Sequence, residues 1–173
     1  MRWQDKYNMG RIHPFLVIMV ISFLCGCSAA KQNTVPGVKP PLPTSAYETR
    51  KLLIGKWLGE AKTDEGNRRQ SLLDRLPNGT YKIVFRTYKS DASFEDQCEV
   101  GLWGFSGSVF FSIMRGWIVN EKFIPADPTD PAYYDAYEIL KLTEQEFEYR
   151  HIPTNYIFRA KRVLGDYTLP EGK

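Results

Sequence analysis

The stretch RQSLLDRLPNGTYKIVFRTY, residues 69–88, decides the fold class. Two strand-like runs flank Asn78-Gly79, and Asn-Gly between such runs is the strongest short-range signal for a β-hairpin. The dipeptide favours a type I′ turn, in which both central residues have positive φ. In the second run, Tyr81, Ile83 and Phe85 share one face and Lys82 and Arg86 share the other, as in a strand that is buried on one face. The stretch therefore predicts two antiparallel strands.

The rest of the domain repeats this pattern of strands and turns. Residues 146–151 alternate cleanly between aromatic and charged side chains until His151. Residues 123–132 carry three prolines, so they are predicted to be irregular. Helical periodicity is confined to residues 47–55, which are expected to begin with a helical turn that Gly55 ends. The predicted strands are residues 56–61, 69–76, 80–88, 99–105, 109–119, 133–142, 146–151 and 156–163.

Seven or eight strands joined mostly by short hairpins form an antiparallel meander. The chain contains ten Phe, ten Tyr and four Trp, and most of them lie on the predicted strands. Such a meander with an aromatic interior indicates an all-β domain that closes into a small barrel or a strongly curved sheet.

The N-terminal residues 1–26 have the layout of an export signal, with basic residues followed by an apolar run at residues 15–24. That run is shorter than the roughly 20 residues that a membrane-spanning helix needs, which disfavours an uncleaved anchor. Leu24-Cys25-Gly26-Cys27 then resembles the lipobox of bacterial lipoproteins. The resemblance implies cleavage before Cys27, lipidation of its thiol and anchoring in the cell envelope. Ser28, where Asp commonly signals inner-membrane retention, favours the periplasmic face of the outer membrane.

Cleavage would leave residues 27–173, which is long enough for one domain with a real core. Removing residues 1–26 takes away three of the 23 Lys and Arg and one of the 20 Asp and Glu, so the remaining net charge is +1. This balance gives no indication of a nucleic-acid partner. The predicted organisation is a lipidated Cys with a Pro-rich linker at 27–46, the β domain at 47–165, and a loose tail at 166–173.

The first and last predicted strands carry a second resemblance. Ile54-Gly55-Lys56-Trp57 is similar to the Gly-X-Trp opening of lipocalin-like barrels, in which the Trp packs against an Arg of the last strand. The resemblance implies a small lipocalin-like barrel that is closed by Gly55, Trp57 and either Arg159 or Arg162. Arg162 shares its strand face with the more apolar side chains, so it is the favoured partner of Trp57.

The sequence contains no recognisable catalytic motif. Ser106 falls short of Gly-X-Ser-X-Gly and lies between two strands, where a tight turn explains the Ser and Gly residues better. His151 is predicted to be a packed or edge residue of a strand, and Cys98 a buried thiol that acts as a small apolar side chain. No cofactor is expected, and the protein is predicted not to be an enzyme.

Four carboxylates surround the proline-rich loop, and they do not have the spacing of an EF-hand. A solvated loop is the favoured interpretation, so no metal site is predicted. These residues are Asp127, Asp130, Asp135 and Glu138.

Together these patterns predict an envelope lipoprotein that contacts the membrane through the lipid on Cys27. Its barrel is expected to bind a small apolar ligand or a partner protein, because small barrels can hold one ligand at the mouth. The alternative is an assembly or scaffolding lipoprotein whose aromatic residues fill a closed core. A third hypothesis is an unrecognised hydrolase, which a perturbed carboxylate pair in a cleft would favour.

Overall fold

The computed structural model describes residues 45–91 and 93–170. The predicted signal, Cys27 and residues 28–44 of the linker lie outside the described residues, as do residues 171–173. The described part forms one helix, a short 3-10 helix (Pro131–Tyr133) and nine strands. These are α1 (Ala46–Leu53), β1 (Gly55–Lys62), β2 (Arg68–Arg75), β3 (Thr80–Tyr88), β4 (Phe94–Ser106), β5 (Val109–Val119), β6 (Lys122–Pro125), β7 (Tyr134–Leu142), β8 (Glu146–His151) and β9 (Ile157–Arg162).

The α1 helix begins one residue before the predicted domain boundary. The Ser45 hydroxyl caps the helix by accepting a hydrogen bond of 3.2 Å from the backbone N–H of Glu48. Such a cap satisfies one of the N–H groups that the first turn leaves without an intrahelical partner. At the other end Leu53 is fully buried, and Gly55 begins β1 with φ of 105°. The helix therefore turns directly into the first strand.

Eight of the strands form a closed antiparallel barrel, which confirms the predicted fold class. The hydrogen-bonded order is β4-β3-β2-β1-β9-β8-β7-β5, and a further pairing between β4 and β5 closes the ring. β1 pairs with β9, with Trp57 opposite Arg162. Closure gives both edges of the meander a partner. β6 lies outside the ring and pairs with the end of β5.

The hairpin at Asn78-Gly79 is confirmed, but its predicted turn type is wrong. Gly79 has φ of 86°, whereas Asn78 does not have positive φ, and the Gly79 N–H donates to the Leu76 carbonyl at 3.1 Å. Proline fixes φ near −65°, so Pro77 fits the first central position of a type I turn. Gly79 then takes the left-handed position that follows such a turn in three-residue hairpin loops.

The expectation of irregular backbone at residues 123–132 is wrong for its first part. Asn120 and Glu121 have φ of 48° and 63°, so the type I′ pattern occurs here and joins β5 to β6. β6 is exposed along its length and ends at Pro125. Proline is tolerated at this place because β6 is an edge strand.

The predicted loose tail is also wrong for residues 166–170. The Lys56 ammonium donates to the Tyr167 carbonyl at 3.0 Å, and the Arg86 guanidinium donates to the carbonyl of Pro170. Leu169 is 7% exposed. This C-terminal segment therefore packs on the outside of β1 and β3, because burial of Leu169 and the two cationic donors hold it there.

The two ends of the barrel differ in packing. α1 and the β2–β3, β4–β5 and β7–β8 turns gather at one end, which we call the closed end, where Leu53, Trp57 and Phe147 are at most 1% exposed. At the opposite end, which we call the open end, inward-facing residues such as Phe85 and Gln97 are only half-buried. The interior is thus sealed on one side and accessible on the other.

Candidate functional site: the barrel interior

The closed end is held by the contact between β1 and β9. The Arg162 guanidinium lies over the Trp57 ring, 4.3 Å from its centroid, and donates to the carbonyls of Leu52, Ile54 and Glu144. The first two carbonyls belong to the C-terminal end of α1, where a cation is favourable because the last helical carbonyls have no intrahelical partner. One side chain therefore joins the helix, the first strand and the last strand.

Gly55 leaves room for this contact. A Cβ atom built on Gly55 would lie 2.8 Å from the Arg162 Nη1, and the φ of 105° is itself strained for other residues. The Trp57 indole N–H donates to the Leu53 carbonyl at 3.1 Å, which fixes the ring beneath the helix. Arg159 is directed outward and pairs with Glu148 at 3.1 Å, so the structure brings Gly55, Trp57 and Arg162 together without it.

Arg75 lies just inside the closed end and is a residue that sequence reasoning did not single out. Its side chain is 2% exposed and lies between two aromatic faces, 4.9 Å from the Phe110 centroid and 5.1 Å from the Phe147 centroid. The buried Nη1 has no hydrogen-bond partner. Burial lowers the pKa of Arg75 to about 10, while the neighbouring phenols of Tyr149, Tyr137 and Tyr81 oppose this effect. The side chain therefore remains a cation at neutral pH.

Three tyrosines surround this cation. Burial raises the pKa of Tyr81, Tyr137 and Tyr149, while the positive charge of Arg75 opposes the increase for Tyr81 and Tyr149. All three phenols are therefore neutral and keep their O–H donors at physiological pH. Tyr137 stacks on Phe110 at a centroid distance of 4.6 Å, which fixes the orientation of its ring.

Two of these rings, Tyr137 and Tyr149, contact each other inside the barrel, at a centroid distance of 5.4 Å. Tyr137 and Tyr149 lie deep in the protein, since burial is the main cause of their raised pKa, yet both keep solvent-accessible surface and are only half-buried. On β1 and β2, Gly59 lies opposite Ser71, and a Cβ on Gly59 would approach the Ser71 hydroxyl to 2.7 Å. A separate shallow cleft of about 390 Å³, lined partly by Arg162, lies away from these tyrosines.

Glu99 faces the same interior nearer the open end. Its pKa is raised to about 7, chiefly by burial; Arg69 opposes the increase and Asp135 adds to it. The Gln97 amide donates to the Glu99 carboxyl at 2.7 Å. The Arg69 guanidinium in turn lies 4.3 Å from the Phe85 ring centroid. Glu99 therefore changes its charge near neutral pH inside the barrel.

Asp135 and His151 form a second polar pair on β7 and β8. The His151 Nε2 lies 3.1 Å from an Asp135 carboxyl oxygen, and its Nδ1 lies 2.8 Å from the Thr154 hydroxyl. Burial raises the pKa of Asp135, and the neighbouring imidazole opposes that shift. His151 faces inward and contacts Tyr137, so it is a packed strand residue, as the alternation indicated.

The other residues that the sequence analysis considered have structural surroundings. Asp127 accepts from the Thr129 N–H and hydroxyl, Asp130 caps the short 3-10 helix, and Glu138 pairs with Arg150. Within residues 45–91 and 93–170, no three His, Cys, Asp or Glu side chains are placed to hold a metal ion.

Two further residues lie away from the interior site. Ser106 ends β4 at the tight turn to β5, as the Gly and Ser pattern indicated. Cys98 is a free, half-buried thiol whose pKa is raised chiefly by burial. A raised thiol pKa disfavours the reactive thiolate.

Several large apolar side chains are exposed where strands end at the open end. Val119, Phe123 and Ile124 belong to the β5–β6 hairpin, and Ile152 and Tyr156 lie between β8 and β9; their exposed fractions are 52%, 52%, 45%, 48% and 43%. Exposed apolar surface of this kind can contact a partner.

Strand alternation in the sequence indicates which residues share a face with Arg75, but it does not indicate whether that face lies inside the barrel. Arg75 lies two residues after Leu73 and opposite Tyr81 across the hairpin, so it shares their face. The pattern gives the two faces of β2 without stating which of them is inside, and a cation is unusual at an inward position.

Comparison with known proteins adds no family assignment. No known family model matches the chain, and no curated protein matches it significantly in sequence. In the described part of the chain, no helix has the length and apolar character needed to cross a membrane.

Proposed function

We propose that this protein is a lipid-anchored component of a bacterial cell envelope and that its barrel binds a small, largely apolar molecule. The observation that carries the binding function is that the aromatic rings of Tyr137 and Tyr149, deep in the barrel, keep accessible surface. Helix α1 and Arg162 seal one end of this interior, while the other end has half-buried lining residues. An interior that is mostly aromatic with a few polar groups is typical of small-molecule sites.

The envelope anchor rests on the sequence. The apolar run before Cys27 and the Leu24-Cys25-Gly26-Cys27 pattern support lipidation of Cys27, and Ser28 favours the outer membrane. The resemblance of Gly55, Trp57 and Arg162 to the closed end of lipocalin-like barrels is supported by their contact.

The proposed function is binding rather than catalysis. The two nitrogens of His151 are bonded to Asp135 and to the Thr154 hydroxyl of its own turn, which is the arrangement of a fixed structural residue. Glu99 is held by the Gln97 amide and faces Arg69. These contacts support a polar lining that orients a ligand.

A second candidate function is attachment of a partner protein in the envelope. The exposed apolar side chains of Val119, Phe123 and Ile124 on the β5–β6 hairpin favour it. The two functions use different surfaces, since the first uses the interior and the second uses the rim of the open end.

Native mass spectrometry of the full chain, isolated gently from its own membranes, tests the proposal. A noncovalent added mass in the range of roughly a few hundred daltons, lost on collisional activation, is expected for a small ligand that fills such a pocket. A stoichiometric protein partner instead would favour the second candidate. Repeated preparations with neither kind of added mass would contradict both functions.

A further inference from the structure

We infer that the ligand carries a single anionic head group, such as a carboxylate, that binds Arg75 at the closed end of the barrel interior. This inference rests on the proposed binding function and names the chemical class of the ligand.

Arg75 differs from Arg86 and Arg159, which each have an acidic partner. Arg86 pairs with Asp96 at 2.6 Å, and Arg159 pairs with Glu148 at 3.1 Å. In the described residues, no salt bridge joins Arg75 to a carboxylate, and its Nη1 is buried without a hydrogen-bond partner. A buried cation with an unsatisfied donor is costly, and an anion that supplies the missing acceptor removes that cost.

The groups around Arg75 suit an anion. The Phe110 and Phe147 rings stabilise the cation but accept no strong hydrogen bond, so its donors stay available. Tyr149 is neutral and carries an O–H donor at neutral pH, so it can also donate to a carboxylate, whereas the Tyr137 hydroxyl is hydrogen-bonded to Asp135 and Ser112. A guanidinium and a carboxylate form paired hydrogen bonds, which gives this head group a geometric advantage.

The rest of the interior defines the body of the ligand. A stack of aromatic rings leads from Phe147 through Tyr149 to Phe158, with centroid distances of 4.4 and 5.2 Å. This wall favours an apolar body. Glu99 and Asp135 face the interior nearer the open end, so a second anionic group on the ligand would be repelled there. The arrangement fits an elongated monoanion with an apolar tail, such as a fatty acid.

A matched pair of probes tests the charge requirement. The full chain in lipid nanodiscs is titrated with 11-(dansylamino)undecanoic acid and with its methyl ester, and the signal of empty nanodiscs is subtracted. We expect the acid to bind about tenfold more tightly than the ester or better, because the ester lacks the charge that pairs with Arg75. Arg75→Met should remove this preference, so that the acid binds no more tightly than the ester.

Arg159→Met is the matched control, because it removes an arginine from the outer face, and it should leave the preference intact. Near-UV circular dichroism checks that the variants fold. If Arg75→Met does not fold, the ratio of acid to ester affinity in the wild type alone tests the charge requirement. Equal binding of acid and ester by the wild type would overturn the inference and leave the proposed function standing. Binding of neither probe would overturn both.

Discussion

Glu99 makes the stability of the domain depend on pH, and the expected change can be worked out from its surroundings. Its inward position on β4 is half-buried, and burial raises the carboxyl pKa from its ordinary value of 4.5 to about 7. At about 1.4 kcal/mol for each pKa unit, this difference corresponds to at most about 3 kcal/mol. Water that reaches the half-buried carboxyl weakens the effect, so we expect about 2 kcal/mol.

The direction follows from the protons bound in each state. In the unfolded chain the carboxyl releases its proton near pH 4.5, whereas in the folded domain it keeps the proton up to about pH 7. Between these values the folded state binds more protons than the unfolded state, so the free energy of unfolding falls as the pH rises. The contribution of Glu99 should level off above its folded pKa.

Urea unfolding of the full chain, followed by tryptophan fluorescence between about pH 4.5 and about pH 8, measures this fall. Glu99→Gln should remove most of this fall in the free energy of unfolding. A smaller fall should remain because burial also raises the pKa of Asp135. Glu95→Gln is the control on the same strand, because the Glu95 side chain is 70% exposed. A pH profile of Glu99→Gln that runs parallel to the wild type would refute the reasoning.

Three further predictions concern the closed end, the hairpin and the anchor. A double-mutant cycle of Trp57→Phe and Arg162→Lys should give a coupling of about 0.5 kcal/mol or more, because the guanidinium lies 4.3 Å from the ring centroid. Strict additivity in urea unfolding would contradict it. Gly79→Val should cost more than the roughly 0.5 kcal/mol of ordinary surface changes, because Gly79 has φ of 86°; an unshifted urea midpoint would count against this. Cys27→Ser should abolish incorporation of labelled fatty acid and release the protein from membranes, whereas unchanged labelling would disprove lipidation at this residue.

The strands of the barrel could be predicted from the sequence because their signals are local. Alternation at residues 146–151 and the turn at Asn78-Gly79 each involve neighbouring residues, and they define most strands before any tertiary contact is known. β6 was missed because it is four residues long, exposed and ends at Pro125. Its turn also places Glu121 at positive φ, which is uncommon for that residue type.

The candidate site was harder to predict, because it depends on which strand face lies inside. Alternation places Arg75 and Leu73 on the same face of β2, but it does not show whether that face points into the barrel. A cation is rarely found at an inward position. The packing of Leu169 had no local signal either, since it depends on contacts of the tail with distant strands. The inward position of Arg75 and the packing of Leu169 therefore depend on long-range contacts, which local sequence patterns do not show.

The most direct test of the account is whether a ligand binds inside the barrel. Ser71 faces the interior beside Gly59, while Lys82 is exposed on the outer face of β3. Ser71→Trp should fill the interior and abolish saturable binding of 11-(dansylamino)undecanoic acid to the full chain, whereas Lys82→Trp should bind it as the wild type does. Unchanged binding by a correctly folded Ser71→Trp variant would contradict the account, because the ligand would then lie outside the barrel.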